Sequence, residues 1–196
     1  MARIRPTDAD LIKELTDLGK SYFTVSDLER ILDLPRKSLY VVLGRLVKSG
    51  VLEHLGKNLY TVFTQPLDVE KVANEIYFPC YLSFEKVLSA YGILSQIPFV
   101  LTFASSRPSK KMTVGDTMIE FTHLPRKLYF GYKLEGDRYV AEPEKALMDE
   151  LYMISRNKRT LNTKELDLSL INKEKFCEYA KKFPAYTRKL ASRIFQ

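Results

Sequence analysis

The 196-residue chain is poor in the residues that build covalent or metal-held frameworks, with two cysteines and two histidines in all. Cys80 and Cys177 stand far apart in no ligand-like spacing, which excludes a disulfide scaffold and a zinc module and predicts two buried packing residues. His54 and His123 have no Cys, Asp or Glu at ligand spacing, so they read as surface or capping residues. Long apolar runs are absent too. No stretch approaches the ~18 residues needed to span a bilayer, and the opening Met-Ala-Arg-Ile-Arg-Pro lacks the apolar core of a signal peptide, which predicts a cytoplasmic protein without membrane attachment. The glycine-rich phosphate loops, the H-E-x-x-H helix and the G-x-S-x-G elbow are missing, so no catalytic residues, metal or cofactor are expected.

What the chain does have is positive charge and apolar material. The net charge is +7 and 45% of residues are hydrophobic, with 12 Tyr and 11 Phe, ample for a packed core. Most of the excess charge lies after residue 124. Within the first 64 residues the distribution is uneven: residues 24–33 carry net −2, whereas 34–52 hold Arg36, Lys37, Arg45 and Lys48 and no acid. Such a switch between adjacent helices suits a nucleic-acid reader, whose docking element displaces counterions from phosphates. A solvated basic helix face is the alternative.

Apolar spacing predicts three helices in this region. The first runs from Thr7 to Leu18 with Leu11, Ile12, Leu15 and Leu18 as its stripe and Gly19 as its stop. Thr24 to Leu32 offers a capping side chain, early acids and Leu28, Ile31 and Leu32 facing inward. Leu34-Pro35 ends it, with Pro35 at the first position of a third helix to Ser49. That helix buries Leu39, Val42, Leu43, Leu46 and Val47, leaving Lys37, Tyr40, Val41, Gly44 and Lys48 outside, flanked by Arg36, Ser38 and Arg45. Arg and Lys reach guanine edges or phosphates, Tyr40 donates to phosphate and Val41 meets a thymine methyl. Gly44 in mid-helix costs about 1 kcal/mol against alanine, which close approach to DNA or another helix would offset. Val51–Leu55 and Asn58–Phe63 form a hairpin around Gly56-Lys57, a wing whose Lys57 and Asn58 reach phosphate or minor groove, or simply serve the turn.

A short linker at Gln65-Pro66 then separates residues 1–64 from a second domain, 68–196, so the fold class is α+β: a winged helix-turn-helix followed by a mixed domain with a small antiparallel sheet and several helices. Its strands are expected at 99–103, 118–122, 128–132 and 138–140; its helices at 68–76, from Ser83 as cap to Gly92, from Pro143 to Ser155, and at 173–183 and 185–195. The polar loop Ser105 to Lys111 is expected to be flexible, and its Arg107, Lys110 and Lys111 suit phosphate or an acidic partner, or only solvent. Glu142, Glu144, Asp149 and Glu150 read as structural carboxylates, the first two matched to the helix N-terminus, and Arg156 to Arg159 as cations offsetting the helix dipole.

The order of motifs carries a resemblance. A winged helix, then Tyr81-Leu82-Ser83-Phe84-Glu85-Lys86-Val87-Leu88-Ser89-Ala90-Tyr91-Gly92, a strand leading to Ser106-Arg107, Phe130-Gly131-Tyr132 and Ala141-Glu142-Pro143-Glu144-Lys145-Ala146-Leu147-Met148-Asp149 resembles the AbiEi-like antitoxins of type IV toxin-antitoxin systems, linked to abortive phage infection. The resemblance implies a repressor that binds double-stranded DNA at its own promoter and counteracts a nucleotidyltransferase-like toxin encoded nearby. It implies that Ser83, Glu85, Pro143, Glu144 and Lys145 are fold determinants. The alternatives are a winged-helix regulator, or a protein-interaction module whose basic C-terminal third (Lys173, Lys181, Lys182, Arg188, Lys189, Arg193) holds an acidic partner or RNA. An enzyme acting on nucleic acid is a third. Paired half-sites suit either a dimer or two adjacent monomers.

Overall fold

The computed structural model describes residues 7–64, 66–162 and 165–195; the opening hexapeptide and Gln65 of the expected linker lie outside them. Two compact units are present, Met1–Val72 with Thr113–Asp116, and Ala73–Met112 with Thr117–Gln196. No helix among the described residues is long and apolar enough to cross a membrane.

In the first unit, two reciprocal caps start two helices. Thr7 Oγ1 accepts from the Asp10 N–H at 3.2 Å while the Asp10 carboxylate accepts from the Thr7 N–H, opening α1 (Asp8–Asp17). Thr24 and Asp27 repeat the device for α2 (Val25–Leu32), just after the two-residue strand β1 (Phe23–Thr24). Leu11 and Leu15 are buried, whereas Leu18, expected on the same stripe, is the C-cap and half exposed, because the chain leaves the helix there and turns at Gly19. Asp33 in the left-handed conformation ends α2, and Pro35 sits one place before the expected position, as the N-cap of α3 (Arg36–Lys48). Strands β2 (Leu52–Gly56) and β3 (Leu59–Val62) follow, and the sheet order is β1-β3-β2, antiparallel, with Phe23 opposite Tyr60. One core joins all these elements through Leu11, Leu15, Phe23, Leu28, Leu39, Leu43, Leu52 and Val62.

The α+β reading holds in the second unit, but the sheet is larger than expected and mixed. Six strands are ordered β6-β7-β5-β4-β9-β8: β4 (Cys80–Leu82), β5 (Val100–Ser105), β6 (Lys110–Val114), β7 (Thr117–His123), β8 (Tyr132–Glu135) and β9 (Arg138–Ala141). β5 pairs parallel to β7, and β4 parallel to β9. The near-continuous burial of β5 is that of a central strand covered on both faces, a place where parallel pairing is found. The strand expected at 128–132 is instead a 3-10 turn at Arg126–Leu128 followed by β8. Between them, Gly131 has φ +68°, and a Cβ there would lie 3.0 Å from the Tyr179 ring and 3.2 Å from the Lys145 side chain, so this turn requires glycine.

Helices α4 (Val69–Ile76), α5 (Glu85–Ala90), α6 (Pro143–Ile154), α7 (Lys173–Ala180) and α8 (Ala185–Ile194) complete the chain, the division between the units falling inside α4. α6 contacts α5, α7 and α8 and is buried at every residue from Glu144 to Met153. Ser83 does not cap α5, which begins two residues later; its hydroxyl donates to Asp149 of α6 instead. Cys80 is buried as expected, but Cys177 is exposed, because the inward stripe of α7 is carried by Phe176.

Candidate nucleic-acid interface

α3 owes its orientation to three leucines. Leu39, Leu43 and Leu46 are at most 1% exposed and anchor one side of the helix, while Val42 and Val47 are partly buried beside them. Everything the sequence singled out on the other side is solvent-facing: Arg36, Lys37, Ser38, Tyr40, Val41, Arg45 and Lys48 are all exposed. Val41 is 75% exposed and Tyr40 46%, so both stand on the same solvent-facing side as the cations. Among the described residues, no atom beyond Gly44's neighbours and its own helix backbone lies within 4 Å of where a Cβ on Gly44 would stand, so no other described helix packs there. Among the described residues, Arg45 alone of the four cations has an ion-pair contact with a carboxylate, Asp8 at 3.9 Å, across exposed surface.

The start of α3 differs from that of its neighbours. α1 and α2 satisfy their first N–H groups with Thr7 and Thr24 and carry acids in the first turn. The Thr7 hydroxyl and N–H hold the Asp10 carboxyl below its ordinary pKa. At Asp27, burial pushes the pKa up but is outweighed by the bonds from Thr24 and Lys20. α3 has Pro35 as N-cap, no side-chain cap and no acid in its first turn. Its positive dipole end is therefore uncompensated and flanked by Arg36 and Lys37.

The β2–β3 hairpin turns at Lys57 and Asn58, both exposed, with Asn58 at φ +63° and a register shift between His54 and Gly56. The Asn58 carbonyl accepts from the Val25 N–H, which ties the tip of the hairpin to the start of α2. His54 is exposed on β2 with its ring 5.0 Å from that of Tyr60.

The other predicted basic group belongs to the second unit and is more rigidly built than a free loop. Arg107 lies 4.2 Å over the Tyr77 ring, and the Tyr77 hydroxyl donates to the Pro108 carbonyl at 2.7 Å. Lys110 and Lys111 are strand residues of β6, and Lys111 is paired with Glu120 at 3.2 Å. Tyr77 is the organising residue of this loop, and at 31 positions' remove from Pro108 it left no local signal in the sequence.

Sequence spacing also missed a buried polar centre in the second unit. Lys145 and Asp149, one turn apart on α6 and both fully buried, form an ion pair; Tyr81 and Ser83 each donate to Asp149 at 2.9 Å. Burial pulls the Lys145 pKa down and pushes those of Asp149 and Tyr81 up. Arg159 does not serve the dipole of α6. Its guanidinium stacks 4.3 Å from the Phe84 ring and gathers Glu85, Glu120 and Glu150. Burial and the Glu85 charge push the Glu150 carboxyl up to about 8 against the pull of Arg159. Among the described residues no group of His, Cys, Asp and Glu is arranged to hold a metal ion. The carboxylates Glu142 and Glu144 meet Lys175 at 2.8 and 3.8 Å rather than standing free at the helix end.

A helix-turn-helix whose second helix carries a basic, acid-free exposed face, followed by a short hairpin, defines a winged-helix module. Residues 10–62 match the family described as transcriptional regulator, AbiEi antitoxin, and this part of the chain is AbiEi-like. The match spans the winged helix from within α1 to the end of β3. No curated protein matches the chain.

Proposed function

We propose that the protein is a sequence-specific DNA-binding repressor that acts at its own promoter, in the cytoplasm, as the antitoxin of a toxin-antitoxin pair. The observation that carries this reading is the exposed face of α3, with four cations, no acid, an open glycine and two unburied apolar side chains. Placed in a major groove, Arg36 and Lys37 sit at the helix end that attracts phosphate, Ser38 and Tyr40 add hydroxyl donors, and Val41 supplies the apolar contact a thymine methyl takes. Gly44 lets the backbone come close to the duplex, and Arg45 and Lys48 extend the contact along the groove. Lys57 and Asn58 at the wing tip take an adjoining phosphate or minor-groove edge. The second domain serves the antitoxin role, counteracting a nucleotidyltransferase-like toxin, with the Arg107, Lys110 and Lys111 group as a contact for phosphate or an acidic partner. No catalytic residue is assigned.

Fluorescence anisotropy of the full chain on its own upstream duplex and on a scrambled duplex, across a salt series, tests the reading. A preference of ~1000-fold or more for its own sequence is expected. Equal, weak and steeply salt-dependent binding to both would reduce the basic helix to a non-specific footprint and overturn it.

A further inference from the structure

The last two helices leave a groove that the DNA reading does not use. α7 and α8 pack as a helical hairpin and enclose about 380 Å³ between them. Its floor is apolar, made by Phe176, Ala180, Ala191 and Phe195, while Lys173, Lys181 and Arg188 stand on its rim. The surrounding sequence is one-sided: residues 173–193 hold seven Lys and Arg against Glu174 and Glu178. Lys175 is occupied by Glu142, but among the described residues Lys181 and Arg188 meet no carboxylate within ion-pair distance.

A small apolar hollow edged by cations asks for a ligand that presents apolar side chains with acidic groups beside them. A nucleic acid fits poorly here, because its bases need open ring faces. Phe176 is 2% exposed and packs edge-on against Phe195, and Lys173 lies over the remaining ring at 5.6 Å. An amphipathic helix can seat one or two leucine-like side chains in a hollow of this volume while its flanking carboxylates reach the rim. We propose that the α7–α8 groove is a docking site for an acidic amphipathic helix of a partner protein. The inference is independent of DNA binding, since no residue of α3 or of the wing takes part.

Cys177 makes the groove testable without a known partner. It is exposed on the groove wall while Cys80, the other cysteine, is buried, so maleimide labelling of the native full chain reads groove access. The probe is a fluorescent synthetic peptide helix with leucines on one face and glutamates flanking them, and its counterpart carries lysine in place of glutamate. The acidic peptide is expected to bind saturably and to slow Cys177 labelling in step with occupancy, while the lysine peptide does neither. Lys181→Glu with Arg188→Glu is expected to weaken binding at least about tenfold. Cys177→Trp, a plug at an exposed position that leaves the charge untouched, is expected to abolish it. Absence of binding, binding that ignores both variants, or unchanged Cys177 labelling on saturation would overturn the proposal. So would protection of Cys177 by a single-stranded RNA that the acidic peptide fails to displace.

Discussion

α3 and α6 are helices of nearly equal length, 13 and 12 residues, and both are rich in charge, yet they use it in opposite directions. α3 buries three leucines and turns every cation to solvent. α6 buries Glu144, Lys145, Asp149 and Glu150 along with its apolar residues, each at most 5% exposed. The lesson is that a charged residue type carries no fixed role. In α3 the cations have, among the described residues, one exposed ion-pair contact, Arg45 with Asp8, and otherwise face solvent. In α6 each of these side chains meets another charged group or a hydroxyl, Glu150 through one oxygen only, and the set ties the helix to β4, α7 and Arg159.

Breaking the inward pattern has the largest expected effect. Asp149→Ala leaves the Lys145 ammonium buried without its carboxylate and is expected to destabilise the second unit by about 3–5 kcal/mol in chemical denaturation. Lys145→Met combined with Asp149→Leu is expected to recover part of that loss, since no charge is left stranded while the buried Tyr81 and Ser83 hydroxyls lose their acceptor. Equal losses in the single and double variants would show that shape rather than charge pairing holds α6 in place.

The outward pattern breaks differently. Arg36→Ala with Lys37→Ala is expected to leave the denaturation midpoint nearly unchanged, because both side chains are exposed. The slope of log affinity for the upstream duplex against log salt is expected to flatten by about two units. Unchanged slope and affinity would remove α3 from the interface.

Titration sharpens the contrast. With the Glu150 pKa raised to about 8 in the folded chain, the folded state keeps a proton that the unfolded chain, with an ordinary carboxylate, has lost. The stability tied to that proton is complete below the ordinary carboxylate range and is lost as pH climbs toward 8. Glu150→Gln is expected to flatten this decline, as followed by thermal unfolding from pH 5 to 8. A decline identical in both proteins would move the effect to another group.

The smallest effect concerns Gly44. Alanine meets no atom there, so Gly44→Ala is expected to stabilise the first unit by up to about 1 kcal/mol while weakening duplex binding. Stabilisation with unchanged DNA affinity would mean the backbone at residue 44 does not approach the duplex.

These comparisons also show which parts were legible from the residues. The Thr24 cap, the leucine spacing of α3, the β2–β3 hairpin, whose turn falls at Lys57-Asn58 one residue past the expected Gly56-Lys57, and the acid-free run from 34 to 52 are local signals, each decided within about one or two helical turns. The second domain depends on partners far apart. Ser83 was read as a cap because serine before a helix usually is one, but Asp149, 66 residues later, takes its hydroxyl. Arg159 was assigned to a helix dipole, yet the carboxylates of Glu85 and Glu120, 74 and 39 positions away, hold it. Cys177 was placed inside by composition, and a one-residue offset on α7 puts Phe176 there instead.

The sequence by itself determined the winged helix, its exposed basic helix and the α+β class, because caps, turn residues and hydrophobic period act between near neighbours. Tertiary structure alone decided the parallel pairings of the sheet, the burial of Lys145 and Asp149, the cation-π seat of Arg107 and the groove between α7 and α8. Each of those arises from contacts whose geometry exists only once distant segments have packed.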